Sequence, residues 1–239
     1  MATPRLPLID IARTGAIVGM VIYHFVYDLG LFGVIPGDVA VNGFWKYLAR
    51  GVAGTFLFLA GFSLVLAHGK GIRWSAFWRR FALVGGAALL VTVGTWLAMR
   101  GVFVYFGILH CIAISSLVAV AFVRLPAIFA ALGALAIWAV VFVWPNGIFE
   151  AVWLSWLGIS TVTRPSIDLV PLLPWLAPCL LGVACAKWAA QTGVLREYLP
   201  DTRFVRAVGW PGQHSLVIYL IHQPILMGLI WATRYLMGV

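Results

Sequence analysis

The stretch RTGAIVGMVIYHFVYD, residues 13–28, combines the composition of a lipid-embedded helix with ionisable side chains at both ends. Arg13 opens the stretch, His24 and Asp28 lie towards its other end, and nearly every remaining residue is apolar or small. A helix that crosses a bilayer needs about 20 mostly apolar residues, and ionisable side chains inside it are costly. The stretch therefore predicts a membrane-spanning helix whose polar residues carry a function.

The composition of the whole chain is that of a membrane protein. Of its 239 residues, 63% are hydrophobic and 10% are charged, whereas a soluble domain is about a quarter charged. The net charge is +9, but the basic residues are spread between apolar runs, which argues against binding to nucleic acid. We predict an all-α, polytopic helix bundle in the lipid bilayer that forms a single domain over residues 1–239.

Seven apolar runs have the length that a membrane-spanning helix requires. Lys and Arg occur eleven times on one side of the predicted spans and five times on the other. By the positive-inside rule, this bias predicts a cytoplasmic N-terminus and an external C-terminus. The seven runs cover residues 8–31, 44–67, 77–99, 103–123, 126–144, 171–190 and 214–237.

One further segment, residues 147–162, is apolar but short and contains Glu150. We predict that it forms an interfacial helix on the outer surface, with Trp153 and Trp156 in the headgroup layer. An eighth span is the alternative, and it would place the basic connection 187–213 outside the cell.

Three ionisable residues are expected on one face of the first helix. Eleven residues make almost three turns, so Arg13 and His24 align, and Asp28 follows His24 by one turn. Asp10 lies one turn before Arg13 and is expected to pair with it. Histidine is the commonest general base near neutral pH, and an adjacent carboxylate orients its ring. The pattern predicts His24 as a catalytic base that Asp28 supports.

Each of these residues also has a structural interpretation. Arg13 near a helix end can extend its side chain to the membrane surface, and His24 can be a neutral core residue. Gly15 and Gly19 form a GxxxG pattern, for which close helix packing is the ordinary explanation. Three ionisable residues on one face favour the functional interpretation.

Other polar residues fall inside the fourth and last runs. His110 lies roughly 10 Å from a helix start at Phe103, a depth that compares with that of His24 and predicts a shared cavity. Tyr219 and His222 lie on one face of the last run. His222 and the adjacent Gln223 are expected near the middle of the membrane.

Three more residues lie near the ends of the runs. Asp168 stands in a proline-rich connection that is expected to bring it over the outer mouth of the bundle. His68 and His214 are expected near the cytoplasmic surface, where solvation is the simplest interpretation.

A metal centre is not expected. A zinc site needs ligands that converge on one point, and the predicted depth of His222 differs from those of His24 and His110. A haem held by His24 and His110 is a less favoured alternative, since two histidines at matching depth are the usual axial pair.

Five segments together resemble bacterial relatives of the catalytic domain of heparan-α-glucosaminide N-acetyltransferase, in the transmembrane acyltransferase superfamily that also includes the acyltransferase family 3 proteins. The resemblance covers nearly the whole chain. Its most specific parts are an arginine followed eleven residues later by histidine, and YLIHQP in the last run. Thr14 departs from the glycine that usually follows this arginine. The segments are IDIARTGAIVGMVIYHFVYDLGLFG, GTFLFLAGFSL, YFGILHCIAISS, DLVPLLPW and HSLVIYLIHQPIL.

The resemblance implies transfer of an acyl group, acetyl being expected, from cytoplasmic acyl-CoA to an extracytoplasmic sugar or glycolipid. It implies that His24 is the catalytic histidine and Arg13 the motif arginine, in the inner membrane of a bacterium. We further expect Asp28 and His110 to be catalytic. A homo-oligomer is compatible with this interpretation. The residues expected to bind substrate are Arg13, Asp168, Tyr219, His222 and Gln223.

Two functions of other classes remain open from the residues alone. A proton-coupled or substrate-coupled transporter would use His24, Asp28 and His110 as a relay. A structural membrane subunit would need no function for any of them.

Overall fold

The computed structural model describes residues 6–193 and 202–237, and these residues fold into eight α-helices and two short 3-10 helices. Seven of the α-helices coincide with the seven predicted spans, and α7 is an addition. The α-helices are α1 (Pro7–Leu31), α2 (Gly43–His68), α3 (Trp74–Ala98), α4 (Ile108–Phe122), α5 (Ala127–Val143), α6 (Leu172–Thr192), α7 (Arg203–Gln213) and α8 (Ser215–Met237).

Five of these helices, α1, α2, α3, α6 and α8, are long and apolar enough to cross a membrane. Helices α4 and α5 are apolar too but have 15 and 17 residues. At 1.5 Å per residue, they are roughly 22 to 26 Å long, slightly less than a hydrocarbon core of about 30 Å. The prediction of an all-α membrane helix bundle is confirmed.

The segment 147–162 is not an eighth spanning helix. It contains the six-residue 3-10 helix Val152–Leu157, which ends at Gly158 with a positive φ of 85°. An isolated bridge joins Phe149 to Ser160, so the segment folds back on itself. The predicted interfacial helix is therefore reduced to two turns of 3-10 helix, in which Trp153 is exposed. Its location on the outer surface stays a prediction.

Helix α4 begins five residues later than predicted, at Ile108 instead of 103. The preceding residues bond to side chains of α3: Thr92 Oγ1 donates to the Val104 carbonyl at 2.8 Å, and the Val104 N–H donates to Thr95 Oγ1 at 3.0 Å. These bonds hold the backbone outside the helix. The predicted depth of His110 is consequently wrong, because His110 is the third residue of α4.

The described residues form two compact units. Residues 6–55 and 202–237 form one, which we call the α1/α8 unit, and residues 56–193 form the other, which we call the α3–α6 unit. The division falls within α2. The single domain over 1–239 stays a prediction.

In the α3–α6 unit, the second half of α2 packs closely on α6. A Cβ atom added at Gly61 would overlap the carbonyl oxygen of Cys179, and one added at Gly182 would overlap that of Phe58. Small residues allow such approaches between membrane helices, where dispersion contacts replace the hydrophobic effect as the main attraction. Leu57 and Val183 in this region are completely buried.

In the α1/α8 unit, α7 packs on the start of α1 through Thr14. The Thr14 hydroxyl donates to the Val208 carbonyl at 2.7 Å and accepts from the Gly212 N–H at 2.9 Å. Residues 208 and 212 are one turn apart, so the hydroxyl contacts the backbone on a single face of α7. A Cβ atom at Gly212 would overlap the Asp10 carbonyl oxygen, which explains the close approach of the two helices.

Helices α1 and α8 run in the same direction. His24 lies beside His222, and further along both helices Arg234 donates to the Phe32 carbonyl at the end of α1. Two parallel spanning helices enter the membrane from the same side, so the chain crosses it an odd number of times from α1 through α8. Seven crossings satisfy this condition and eight do not.

Candidate active site

The α1 face that carries the ionisable residues forms as predicted. Helix α1 is continuous from Pro7 to Leu31, which aligns Arg13, His24 and Asp28. Arg13 Nη1 donates to Asp10 Oδ1 at 3.3 Å, and this ion pair is the predicted one.

The ring of His24 packs among aromatic rings and a second histidine. Its centroid is 5.0 Å from that of His222 on α8. Tyr23 and Tyr27 contact it edge to face at 5.5 and 6.5 Å. The two tyrosines precede and follow His24 by one and three positions on α1, and the sequence analysis did not single them out.

Asp28 makes a different hydrogen bond from the predicted one. Its side chain is completely buried, and Gln223 Nε2 of α8 donates to its Oδ1 at 2.6 Å. In the described part of the chain, no hydrogen bond joins Asp28 to His24. Helical side chains lean towards the N-terminus, so the His24 ring points away from the turn that carries Asp28. The short carboxylate bonds to α8 instead.

The protonation state of one His222 nitrogen follows from its partner. His222 Nδ1 lies 2.6 Å from the Tyr219 carbonyl oxygen. A carbonyl oxygen only accepts, so Nδ1 carries the hydrogen. When the ring is neutral, Nε2 therefore presents a lone pair.

Four buried polar atoms of the α1/α8 unit have no hydrogen-bond partner within the described residues: His24 Nδ1, Asp28 Oδ2, His222 Nε2 and Gln223 Oε1. Leaving one such atom unpaired costs about 1–3 kcal/mol, and native structures contain few of them. Four such atoms on two adjacent helices mark a site whose hydrogen bonds the described residues leave incomplete. These four residues are the candidate active site.

His110 belongs to the α3–α6 unit, where both of its ring nitrogens are bonded. Nδ1 accepts from the Gly107 N–H at 3.2 Å, because His110 lies in the first turn of α4, where backbone donors need partners. Nε2 therefore carries the hydrogen and lies 3.2 Å from Thr92 Oγ1. The Thr92 hydroxyl in turn donates its own hydrogen to the Val104 carbonyl. Sequence reasoning missed Thr92, since nothing marks it in the α3 run.

Asp168 lies next to the same helix start. Its Oδ2 is 3.4 Å from the Ile108 N–H, and a Cβ atom at Gly107 would contact this oxygen. Burial raises the pKa of the Asp168 carboxyl to about 6, and the bond from the Ile108 N–H opposes this shift. Asp168 and His110 thus both accept from backbone N–H groups at the start of α4.

The two surface histidines differ in the structure. His214 is exposed, as predicted. His68 is buried, and its Nδ1 accepts from the Arg73 N–H at 3.1 Å in the turn after α2. The expectation of solvation was wrong for His68 because the chain reverses directly after it and needs an acceptor there.

The structure thus brings His24, Asp28, His222 and Gln223 together, with Tyr219 as the backbone partner of His222. Arg13 lies near the other end of α1.

No group of three or more His, Cys, Asp or Glu side chains among the described residues is arranged to hold a metal ion.

A comparison with known families decides what kind of protein carries this site. The profile of the heparan-alpha-glucosaminide N-acetyltransferase catalytic family matches residues 5–224. The chain belongs to this family. As a member of the heparan-alpha-glucosaminide N-acetyltransferase catalytic family, it is a multi-pass membrane acyltransferase. No curated protein and no solved structure matches the chain.

Proposed function

We propose that the protein transfers an acyl group, acetyl in the first place, from cytoplasmic acyl-CoA to a hydroxyl or amine of an extracytoplasmic sugar or glycolipid. The proposed location is the inner membrane of a bacterium. The observation that carries the proposal is the set of four buried atoms around His24 that have no partner among the described residues, in a chain of the heparan-alpha-glucosaminide N-acetyltransferase catalytic family.

The reaction needs a base for the attacking group. In the proposed step, the acceptor nitrogen or oxygen attacks the thioester carbonyl carbon while His24 Nδ1 takes the proton of this attacking group. The carbon–sulfur bond then breaks, and the CoA thiolate leaves and is protonated. Such a base needs a ring nitrogen that is available to accept the proton. His24 Nδ1 has no hydrogen-bond partner among the described residues.

His222 and Asp28 stabilise the cation that forms when His24 accepts the proton. His222 presents the lone pair of Nε2 beside the His24 ring, since the Tyr219 carbonyl holds its Nδ1–H. The buried carboxylate of Asp28 supplies negative charge one turn away, and Gln223 fixes its orientation. Asp28 Oδ2 and Gln223 Oε1 remain as acceptors for N–H or O–H groups of the acceptor substrate.

The other predicted site residues have supporting roles in the proposal. His110 is proposed to stabilise the oxyanion of the reaction, the role that its sequence position predicts. Asp168 binds the acceptor through its carboxyl group, and Tyr219 does so through its ring.

The phosphates of CoA need cations on the cytoplasmic side, for which we propose Arg13, Arg79 and Arg80. Arg80 lines a small cavity of the α3–α6 unit together with Phe77 and Ser116.

The decisive experiment uses the purified full chain in lipid vesicles with radiolabelled acetyl-CoA and a panel of amino sugars and neutral sugars. We expect His24→Ala to lower label transfer by about 100- to 10,000-fold, the usual contribution of a general base. His214→Ala is the matched control, because this exposed histidine lies outside the site, and it should transfer label like the wild type.

Two results would contradict the proposal. Equal transfer by the wild type and His24→Ala would remove His24 from the reaction. Solute flux that depends on pH and consumes no acetyl-CoA would favour the transporter instead.

A further inference from the structure

The two facing histidines of the candidate active site each have a buried ring nitrogen with an unused hydrogen-bonding capacity. His24 Nδ1 and His222 Nε2 have no hydrogen-bond partner within the described residues. The two ring centroids are 5.0 Å apart, and the ring planes are inclined by 59°. His222 is only 6% exposed, so its ring has little contact with bulk solvent. The two nitrogens therefore form a polar, buried contact between α1 and α8.

Both nitrogens are hydrogen-bond acceptors when the proposed base is ready to react. The Tyr219 carbonyl holds the hydrogen of His222 on Nδ1, which leaves a lone pair on Nε2. His24 Nδ1 also carries a lone pair in the proposed reaction, because it takes up a proton. The histidine pair therefore matches a molecule that has two hydrogens to donate.

The other two unpartnered atoms of the site call for donors as well. Asp28 Oδ2 belongs to a carboxylate and Gln223 Oε1 to an amide carbonyl, and both oxygens accept hydrogen bonds. Lipid acyl chains have no hydrogen to donate. Water is retained in buried sites that offer it two to four polar partners, whereas apolar cavities stay dry. Water is thus the smallest molecule that satisfies this site.

A single water molecule has the reach and the two hydrogens that the histidine pair requires. Two hydrogen bonds of about 2.9 Å from one oxygen can join nitrogens that lie about 4 to 5 Å apart. Rings whose centroids are 5.0 Å apart allow such a separation between His24 Nδ1 and His222 Nε2. A sugar hydroxyl has one hydrogen and would leave one of the two nitrogens unpaired.

We propose that the protein also hydrolyses its acyl donor, with a water molecule held between His24 and His222 as the nucleophile. The base and the acyl-CoA are those of acyl transfer, so this inference rests on the proposed function. When no acceptor is bound, the water oxygen attacks the thioester carbonyl carbon and His24 Nδ1 takes a proton from the water. The carbon–sulfur bond breaks, and the thiolate takes the proton from His24. Acetyl-CoA and water thus give acetic acid and CoA.

His222 favours water over other nucleophiles in this proposal. Its Nε2 accepts the second hydrogen of the water, so the water depends on both histidines. An acceptor sugar has further polar groups for contacts of its own and depends less on this one bond. His222→Phe keeps a ring and removes Nε2. We therefore expect hydrolysis in this variant to fall about two- to tenfold more than acyl transfer does.

The test measures CoA release and acetate formation from acetyl-CoA by the purified full chain in lipid vesicles, without an acceptor and in water enriched in a heavy oxygen isotope. We expect the wild type to form one isotope-labelled acetate for each CoA released. His24→Ala should lower this rate about 100-fold or more. Glucosamine, added as an acceptor, should suppress acetate formation while CoA release continues.

His214→Phe is the matched control for His222→Phe, because it makes the same exchange at an exposed histidine outside the site. It should hydrolyse acetyl-CoA like the wild type. Acyl transfer is measured on every variant, so a misfolded His222→Phe would lose both activities completely, and His222→Gln then replaces it, with the same expected excess loss of hydrolysis.

Three results would overturn the inference. If the wild type acetylates a sugar but forms no acetate above the spontaneous rate, the hydrolysis is absent and the proposed acyl transfer stands. Equal hydrolysis by the wild type and His24→Ala would place the activation of water elsewhere. Equal partial losses of transfer and hydrolysis in the His222 variant would remove His222 from the binding of water. Absence of both reactions in the wild type would instead show that the proposed function itself is wrong.

Discussion

In the candidate active site, the carboxylate of Asp28 on α1 is bonded to Gln223 of α8 and not to His24. The alignment of Arg13, His24 and Asp28 was predictable, because the period of an α-helix fixes which residues share a face. The partner of Asp28 was not predictable in this way. This partner depends on which residue of α8 packs against Asp28, and the sequence of α1 does not indicate that residue. Gln223 was singled out as polar, but its bond to Asp28 required the structure.

Two substitutions in the Asp28–Gln223 pair test the negative charge of Asp28 and its hydrogen bond separately. In Asp28→Asn, the new amide still accepts from Gln223 Nε2, so we expect nearly unchanged thermal stability. Activity should fall, because the negative charge near His24 is lost. In Gln223→Leu, Oδ1 of the buried Asp28 loses its partner in the described residues, which should lower the free energy of unfolding by roughly 1–3 kcal/mol.

Intrinsic fluorescence melts in detergent and acetyl-transfer rates measure the two effects. If Asp28→Asn retains full activity, the carboxylate serves only to join α1 to α8. If Gln223→Leu melts like the wild type, the hydrogen bond contributes nothing to stability.

At the scale of helices, the length of an apolar run predicts a spanning helix well and its ends less well. Most bounds agree within a few residues because lipid demands a continuous run. The start of α4 was missed because Thr92 and Thr95 bond to the preceding backbone, and such bonds leave no pattern in the α4 run itself. Helix α7 was missed because half of its residues are polar or glycine.

Glycine patterns predicted close packing only in part. Of the GxxxG pair, Gly15 faces open space, and a Cβ atom at Gly19 would meet side chains and no backbone, with Val52 at 2.8 Å and Leu48 at 3.7 Å. The tighter approaches are at Gly61, Gly182 and Gly212, where a backbone carbonyl lies opposite. A GxxxG motif specifies the spacing of small residues in one helix, but it does not specify which atoms of the neighbouring helix face them.

These two environments predict opposite outcomes for the same substitution. In Gly182→Ala, the added methyl group would overlap the Phe58 carbonyl and should destabilise the protein by roughly 1–3 kcal/mol. Gly15→Ala meets nothing and should be neutral or stabilising by up to about 1 kcal/mol, since alanine favours the helix. Melting temperatures of both variants under identical conditions give the answer. A Gly182→Ala variant as stable as the wild type would show that α2 and α6 separate readily.

At the scale of the whole molecule, the parallel course of α1 and α8 agrees with the charge bias of the connections. The first is a geometric observation and the second a count of Lys and Arg, so they are independent. The count left the segment 147–162 ambiguous, because its composition fits an interfacial or a spanning helix. Its 3-10 geometry and the parity of the crossings exclude the eighth span.

This topology predicts opposite accessibility for α7 and for the end of α8. In a Cys185→Ala background, which removes the exposed cysteine, Ala207→Cys and Tyr235→Cys each add one exposed thiol. A membrane-impermeant maleimide should label Tyr235→Cys in intact cells. It should label Ala207→Cys only after the membrane is permeabilised. Labelling of both thiols from one side would contradict a membrane-spanning α8, and labelling of Ala207→Cys alone in intact cells would contradict the predicted orientation.

The hydroxyl of Thr14 bonds to both the Val208 carbonyl and the Gly212 N–H of α7. Serine at this position keeps a hydroxyl that can make both bonds, whereas valine, of nearly equal size, can make neither. One oxygen atom thus joins two segments of the chain that lie almost two hundred residues apart in the sequence.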